Sequence, residues 1–155
     1  MTYWRPAQTI RIKTLGLHWR EGRLLAACVF NDDGTLKGVR PLGGTVEFGE
    51  TAESALMREF REELGVTATI IGPPLFMENL YHHEGMQGHE LLILFPVDLP
   101  VERLPATGGF TFYEDSGTAC HADWFALDGL DGPNQPSLYP AGLKARLQSA
   151  QTQAI

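Results

Sequence analysis

Apolar residues follow two spacings along this chain, and the structure should change wherever the spacing does. Residues 9–19, TIRIKTLGLHW, alternate apolar with polar at their start and predict a strand. Glu21-Gly22 predicts a turn, and the unbroken apolar run 23–30, RLLAACVF, predicts a central strand. Asn31 to Gly34, NDDG, turns the chain again. Residues 36–41 predict a short strand leading into a glycine loop at Gly43-Gly44, with a brief strand beside it at Thr45 to Glu47. From Thr51 the spacing lengthens. Ala52, Ala55, Leu56, Met57, Phe60 and Leu64 recur at helical intervals, and Leu56, Phe60 and Leu64 make one apolar stripe. Thr51 suits an N-cap, Glu53 suits the positive end of the helix dipole, and Gly65 supplies a left-handed stop. One helix over 51–64 is predicted.

Beyond it, residues 67–71 predict a strand broken by Gly72-Pro73-Pro74, and Leu75 to Tyr81 resumes it. His82 to Gly88 reads as a polar turn, and 89–97, HELLILFPV, as a buried strand with Pro96 near its end. Residues 98–118, rich in Pro and Gly, predict a mobile loop, 119–127 a final strand, and 138–151 a terminal helix after a Pro-rich stretch. Residues 1–8 predict a loose arm in which Tyr3 and Trp4 are free to pack. Strand runs flanking one long helix, with a second helix at the end, predict an α/β domain over 1–155, a mixed sheet between helices.

With 43% hydrophobic and 20% charged residues in 155, the chain falls among globular proteins large enough for a sizeable core. Its net charge of -7 excludes a broad nucleic-acid surface, which needs a basic footprint. A polyanionic small substrate stays open if cations bridge it to the protein. Cys28 and Cys120 are too few for a disulfide scaffold. The N-terminus lacks an apolar core of signal-peptide length and no run is long enough to cross a bilayer, so a cytoplasmic location is expected.

The chemistry concentrates on the long helix. Glu59 and Glu63 are four apart and share a face, with Glu62 beside them. Like charges at that spacing weaken a helix unless something neutralises them. A hard cation held by carboxylate oxygens does so, and Mg²⁺ typically bridges to substrate phosphates. Arg58, next to this cluster, is placed to pair with Glu50 and orient it. A lone E-x-x-E-E reads equally as a solvated acidic face; the preceding glycine loop and the full spacing favour the metal site.

Gly44, Glu50, Arg58, Glu59, Phe60, Glu62, Glu63, Gly65 and Val66 stand at the fixed positions of the Nudix box, G-x5-E-x7-R-E-U-x-E-E-x-G-U, with U a bulky aliphatic residue. The stretch resembles that motif throughout. Phe60 departs from it, aromatic where Ile, Leu or Val is usual, which changes packing. The resemblance implies an α/β/α sandwich around a central mixed sheet. It also implies hydrolysis of a nucleoside diphosphate linked to another moiety, by water attack at phosphorus with Mg²⁺ or Mn²⁺. Carried over, Glu59, Glu62 and Glu63 are metal ligands, with the carbonyl of Gly43. Gly44 allows a tight approach, and Arg58 and Glu50 are the orienting pair. The general base is one of the box carboxylates or one from a later loop, where Glu114, ahead of Asp115, is favoured. A homodimer is compatible with the resemblance.

Outside the box, Arg40 at the lip of the glycine loop is placed to hold a substrate phosphate. Glu90, starting an apolar strand, is costly unless partnered and is expected in the cleft. Phe48, Tyr81, Tyr113 and Trp124 offer aromatic faces for a base. His82, His83 and His89 match no zinc spacing. A proline found downstream of the box in many Nudix enzymes acting on ADP-ribose is replaced here by Leu80-Tyr81-His82, a tyrosine region that resembles dinucleoside-polyphosphate hydrolases. Nucleoside triphosphates, dinucleoside polyphosphates and nucleotide sugars all stay open. The other class considered is a non-catalytic nucleotide-binding or regulatory domain on the same scaffold; such a domain is expected to have lost box carboxylates, and here they are complete.

Overall fold

The computed structural model describes residues 2–105 and 107–153, with side chains up to residue 150. In chain order the strands are β1 (Ile10–Leu17), β2 (Trp19–Arg20), β3 (Arg23–Phe30), β4 (Leu36–Arg40) and β5 (Leu42–Thr45). Helix α1 (Ala52–Leu64) follows, then β6 (Thr69–Ile70), β7 (Leu75–His83), β8 (Met86–Asp98), β9 (Phe110–Tyr113), β10 (Ala119–Phe125), β11 (Ser137–Leu138) and α2 (Leu143–Gln153). The class is α/β, as expected, with the strands divided between two sheets rather than gathered in one. The first is mixed: β5 runs antiparallel to β1, β1 parallel to β8, and β7 and β6 antiparallel to β8. The second is ordered β11-β4-β3-β10-β9, with β2 on β3.

Alternation along the first sheet divides its faces. Gly16 lies under the ring of Phe60, where an added Cβ would stand 2.6 Å from a ring carbon, so α1 packs on that side. There Leu56, Phe60, Val66, Phe95 and Val97 join Leu25, Phe112 and Trp124 of the other sheet in one apolar cluster. Leu15, Leu17, Leu92 and Leu94 point to the opposite side and meet Leu24, Val39, Leu138, Leu143 and Leu147. Towards the start of β1 and β8 and the end of β7, that second side turns polar, with Lys13, Glu90 and Asn79.

Helix α1 forms as its sequence dictates. The Thr51 hydroxyl accepts from the Ser54 N–H at 3.1 Å, and Gly65 closes the helix at φ 65°. Elsewhere the structure departs from expectation. Leu42 to Thr45, expected to be mostly loop, is strand β5, because β1 supplies its hydrogen-bond partners. The expected turn at His82 to Gly88 shrinks to Glu84-Gly85, and the two strands run on into it. Residues 98–118 are not all loop: Val101–Arg103 makes a 3-10 turn and Phe110–Tyr113 pairs with β10. Strand β11 follows β10, so β10 is not the last. Helix α2 starts at Leu143 rather than 138, since Pro140 and Gly142 (φ 92°) precede it and resist helical geometry. The arm at 2–8 has no regular structure but is fastened, with Pro6 buried and Arg5 Nη1 3.1 Å from Asp32 Oδ1. No helix among the described residues is long and apolar enough to cross a membrane.

Candidate active site

Strand β5 and helix α1 build the site between them. Gly43 lies so close to β1 that a Cβ there would stand 1.9 Å from the Thr14 carbonyl oxygen. At Gly44 a Cβ would stand 2.3 Å from the carboxyl carbon of Glu59. Only glycine lets the Glu59 carboxylate, itself buried, rest on the strand.

Arg58 ties the start of α1 to this point. Its Nε donates to Glu50 Oε2 at 2.8 Å and its Nη2 to Glu50 Oε1 at 2.9 Å, a bidentate pair. Its Nη1 donates to Glu59 Oε1 at 3.0 Å and Glu62 Oε2 at 3.3 Å, and its Nη2 to the Thr45 carbonyl at 3.1 Å. The Glu50 carboxylate also accepts from the Glu47 N–H at 3.0 Å. Arg58 and then that N–H hold Glu50 below the usual carboxylate range, and Glu50 in turn raises the guanidinium pKa. Truncation of Arg58 to Ala is expected to lower the melting temperature by about 5–10 °C, because several part-buried acceptors lose their donor together. Arg58→Lys should recover less than half of that, since an ammonium cannot make the planar two-point contact. Thermal denaturation of both variants in EDTA tests this.

Glu63, one turn beyond Glu59, is the electrostatic outlier. Burial and then the neighbouring Glu59 push its carboxyl up to about 8, while Arg40 pulls the other way. Arg40 Nη2 lies 3.5 Å from Glu114 Oε1, which brings β4 and the loop after β9 to the same place. Cys120 sits close by, its thiol pushed up to about 12 by burial and Glu114. Among the described residues, Glu63 lies beside Glu59, but Glu59, Glu62 and Glu63 do not all three converge on one point. Arg58 Nη1 joins Glu59 to Glu62.

Arg40, the electrostatic neighbour of Glu63, is also a neighbour of Lys13 and Tyr81 on the polar side of the first sheet. Glu90 is buried, paired with Lys13 at 3.0 Å and accepting from Asn79 at 3.1 Å. Burial lowers the Lys13 pKa, Arg40 adds to that, and Glu90 opposes it. Tyr81 lies flat over Gly88, where a Cβ would meet its ring and hydroxyl at 2.3–2.6 Å. Burial and then Glu90 raise its phenol to about 12. Phe48 is fully exposed at the tip of the loop before α1, and Tyr113 is exposed on β9. Trp124, by contrast, is buried and offers no free face to a base. Lys13 and Asn79 were not singled out by the sequence reading. Alternation along TIRIK, which puts Lys13 on the side of Leu15, was the available signal.

Asp32, His83 and Glu84 do bring their ligand atoms together, in a group away from the box. Two cations already serve it: Arg5 on Asp32, and Lys37 Nζ at 3.2 Å from His83 Nδ1. Glu84 Oε1 accepts from the Asp32 N–H at 2.9 Å, and Trp4 packs on His83 at 5.3 Å between ring centroids. This set fastens the N-terminal arm.

The NUDIX domain model matches residues 17–143. Among solved structures, the chain resembles the E. coli ORF135 protein at 23% identity and a TM-score of 0.61, over 93% of this chain and 92% of that one. A MutT NUDIX hydrolase from Burkholderia pseudomallei is similar at 21% identity and a TM-score of 0.56, over 90% and 98%. A UDP-X diphosphatase is similar at 14% identity and a TM-score of 0.55, over 99% of this chain and 66% of that one. These likenesses establish the fold. No curated protein matches.

Proposed function

Because the chain belongs to the NUDIX family, we propose that it hydrolyses the phosphoanhydride of a nucleoside diphosphate linked to another moiety, using Mg²⁺ or Mn²⁺. The linked moiety makes the substrate a nucleoside triphosphate, a dinucleoside polyphosphate or a nucleotide sugar. The observation that carries this reading is the Glu59–Glu63 pair on α1. One carboxylate is seated on Gly44, and the other is driven towards its protonated form at neutral pH unless positive charge arrives. An all-oxygen set with that deficit fits a hard divalent cation. Glu59, Glu62, Glu63 and the Gly43 carbonyl would hold it. When bound, such a cation polarises phosphoryl oxygens and acidifies an attacking water.

The chain's own groups supply the rest. Arg40 faces the lip of the site and binds a non-bridging phosphate oxygen, leaving Glu114, its partner at 3.5 Å, free to take the proton of the attacking water. Arg58 and Glu50 hold the first turns of α1 against β5, so the Glu59 carboxylate keeps its seat. Tyr81 and Phe48 offer faces to the base, and Glu90, held by Lys13 and Asn79, offers acceptors to its polar edge.

A panel of nucleoside triphosphates, dinucleoside polyphosphates and nucleotide sugars, run with Mg²⁺, with Mn²⁺ and with EDTA, tests the reading. At least one substrate should release phosphate, pyrophosphate or a nucleoside monophosphate with metal and none with EDTA. A wild-type chain inert across that panel would favour the non-catalytic binding domain instead.

A further inference from the structure

Thr14 is completely buried, and its hydroxyl has no hydrogen-bond partner among the described residues. Leaving a hydroxyl buried and unpaired is costly. Its position in the sheet shows what it faces. Thr14 is paired with Gly44 across β1 and β5, and with Ile93 across β1 and β8. Directly opposed residues raise their side chains from the same face, with Cβ atoms about 4.5–5.5 Å apart. The Gly44 position is where the Glu59 carboxylate rests. Two residues along β1, the Gly16 position is covered by the Phe60 ring. Positions 14 and 16 share a face, so the unpaired hydroxyl stands under α1, one strand away from the seat of Glu59.

We propose that Thr14 is a positioning residue of the metal centre: with a divalent cation bound, its hydroxyl donates to the Glu59 carboxylate, directly or through one water, and sets its orientation. The inference rests on the reading of Glu59 as a metal ligand. The buried hydroxyl has no competing partner among the described residues, so it is available to the carboxylate seated one strand away. Outer partners of this kind, when lost, typically weaken metal binding about 10–100-fold.

The test is Mn²⁺ binding, followed by the EPR signal of free Mn²⁺, beside thermal denaturation in EDTA. Thr14→Val keeps the shape and removes the hydroxyl. It should bind Mn²⁺ at least about 10-fold more weakly, with an unchanged or higher melting temperature in EDTA, because a buried unpaired hydroxyl has been removed. Thr14→Ser, which restores the donor, should return Mn²⁺ affinity to within about 3-fold of wild type. Val and wild-type proteins that bind Mn²⁺ equally well overturn the proposal and leave the metal reading standing. A wild-type chain that binds no Mn²⁺ overturns both.

Discussion

Glu63→Gln should abolish metal-dependent hydrolysis and, in EDTA at pH 8.5, melt at a higher temperature than wild type. The two effects share one cause. In the folded chain the Glu63 carboxyl is pushed up to about 8 by burial and by Glu59, from an ordinary value of 4.5. Between those values the folded state holds a proton that the unfolded chain has released, so metal-free stability falls as pH rises through this window. The loss is on the order of 2 kcal/mol once partial contact with solvent is discounted. Glutamine carries no charge and escapes it, so its melting temperature in EDTA should exceed wild type by about 3–6 °C at pH 8.5 and match it near pH 4.5. Mg²⁺ should raise the wild-type melting temperature more at pH 8.5 than at pH 5 and barely move the variant. Activity should drop by at least about 100-fold. Equal melting temperatures at pH 8.5, or an activity loss under 10-fold, would rule out this account of the pair.

Gly43→Ala is expected to be the most destabilising of the small substitutions. The added methyl would stand 1.9 Å from the Thr14 carbonyl oxygen and 2.8 Å from the Leu15 Cα, both backbone atoms of the paired strand. No rotamer relieves that, so β5 must part from β1 and take the seat of Glu59 with it. A loss of about 3 kcal/mol or more in urea denaturation is expected, with activity falling in parallel. Gly129→Ala is the control, since a Cβ there meets nothing within 4 Å; it should stay within about 0.5 kcal/mol of wild type. A Gly43→Ala chain within 1 kcal/mol of wild type would show that the two strands can separate at little cost.

Helix α1 was legible because its signals are local. Thr51, the apolar stripe and Gly65 sit within one stretch and agree with one another. Strand β5 was not, because Leu42-Gly43-Gly44-Thr45 has the composition of a loop and becomes a strand only through β1. The late loop hid β9 for the same reason: its pairing partner is β10. In the site, the Arg58–Glu50 contact could be anticipated from residues on one helix and its entrance. The contact of Lys13 with Glu90 joins residues brought together by the parallel register of β1 on β8, which no local pattern encodes. Thr14 gave no signal at all, since a threonine in a strand is ordinary until its hydroxyl proves to lack a partner among the described residues.

On the proposed reading, a divalent ion held at Glu59 would meet a carboxylate already in company, with Arg58 Nη1 3.0 Å away and Glu62 on the same nitrogen. Capture would then be a substitution, and the ion's grip the difference between two attractions. The guanidinium stays tethered by Glu50 and Thr45 while it waits. Once such an ion left, the anchored guanidinium would again lie within hydrogen-bond reach of the acid.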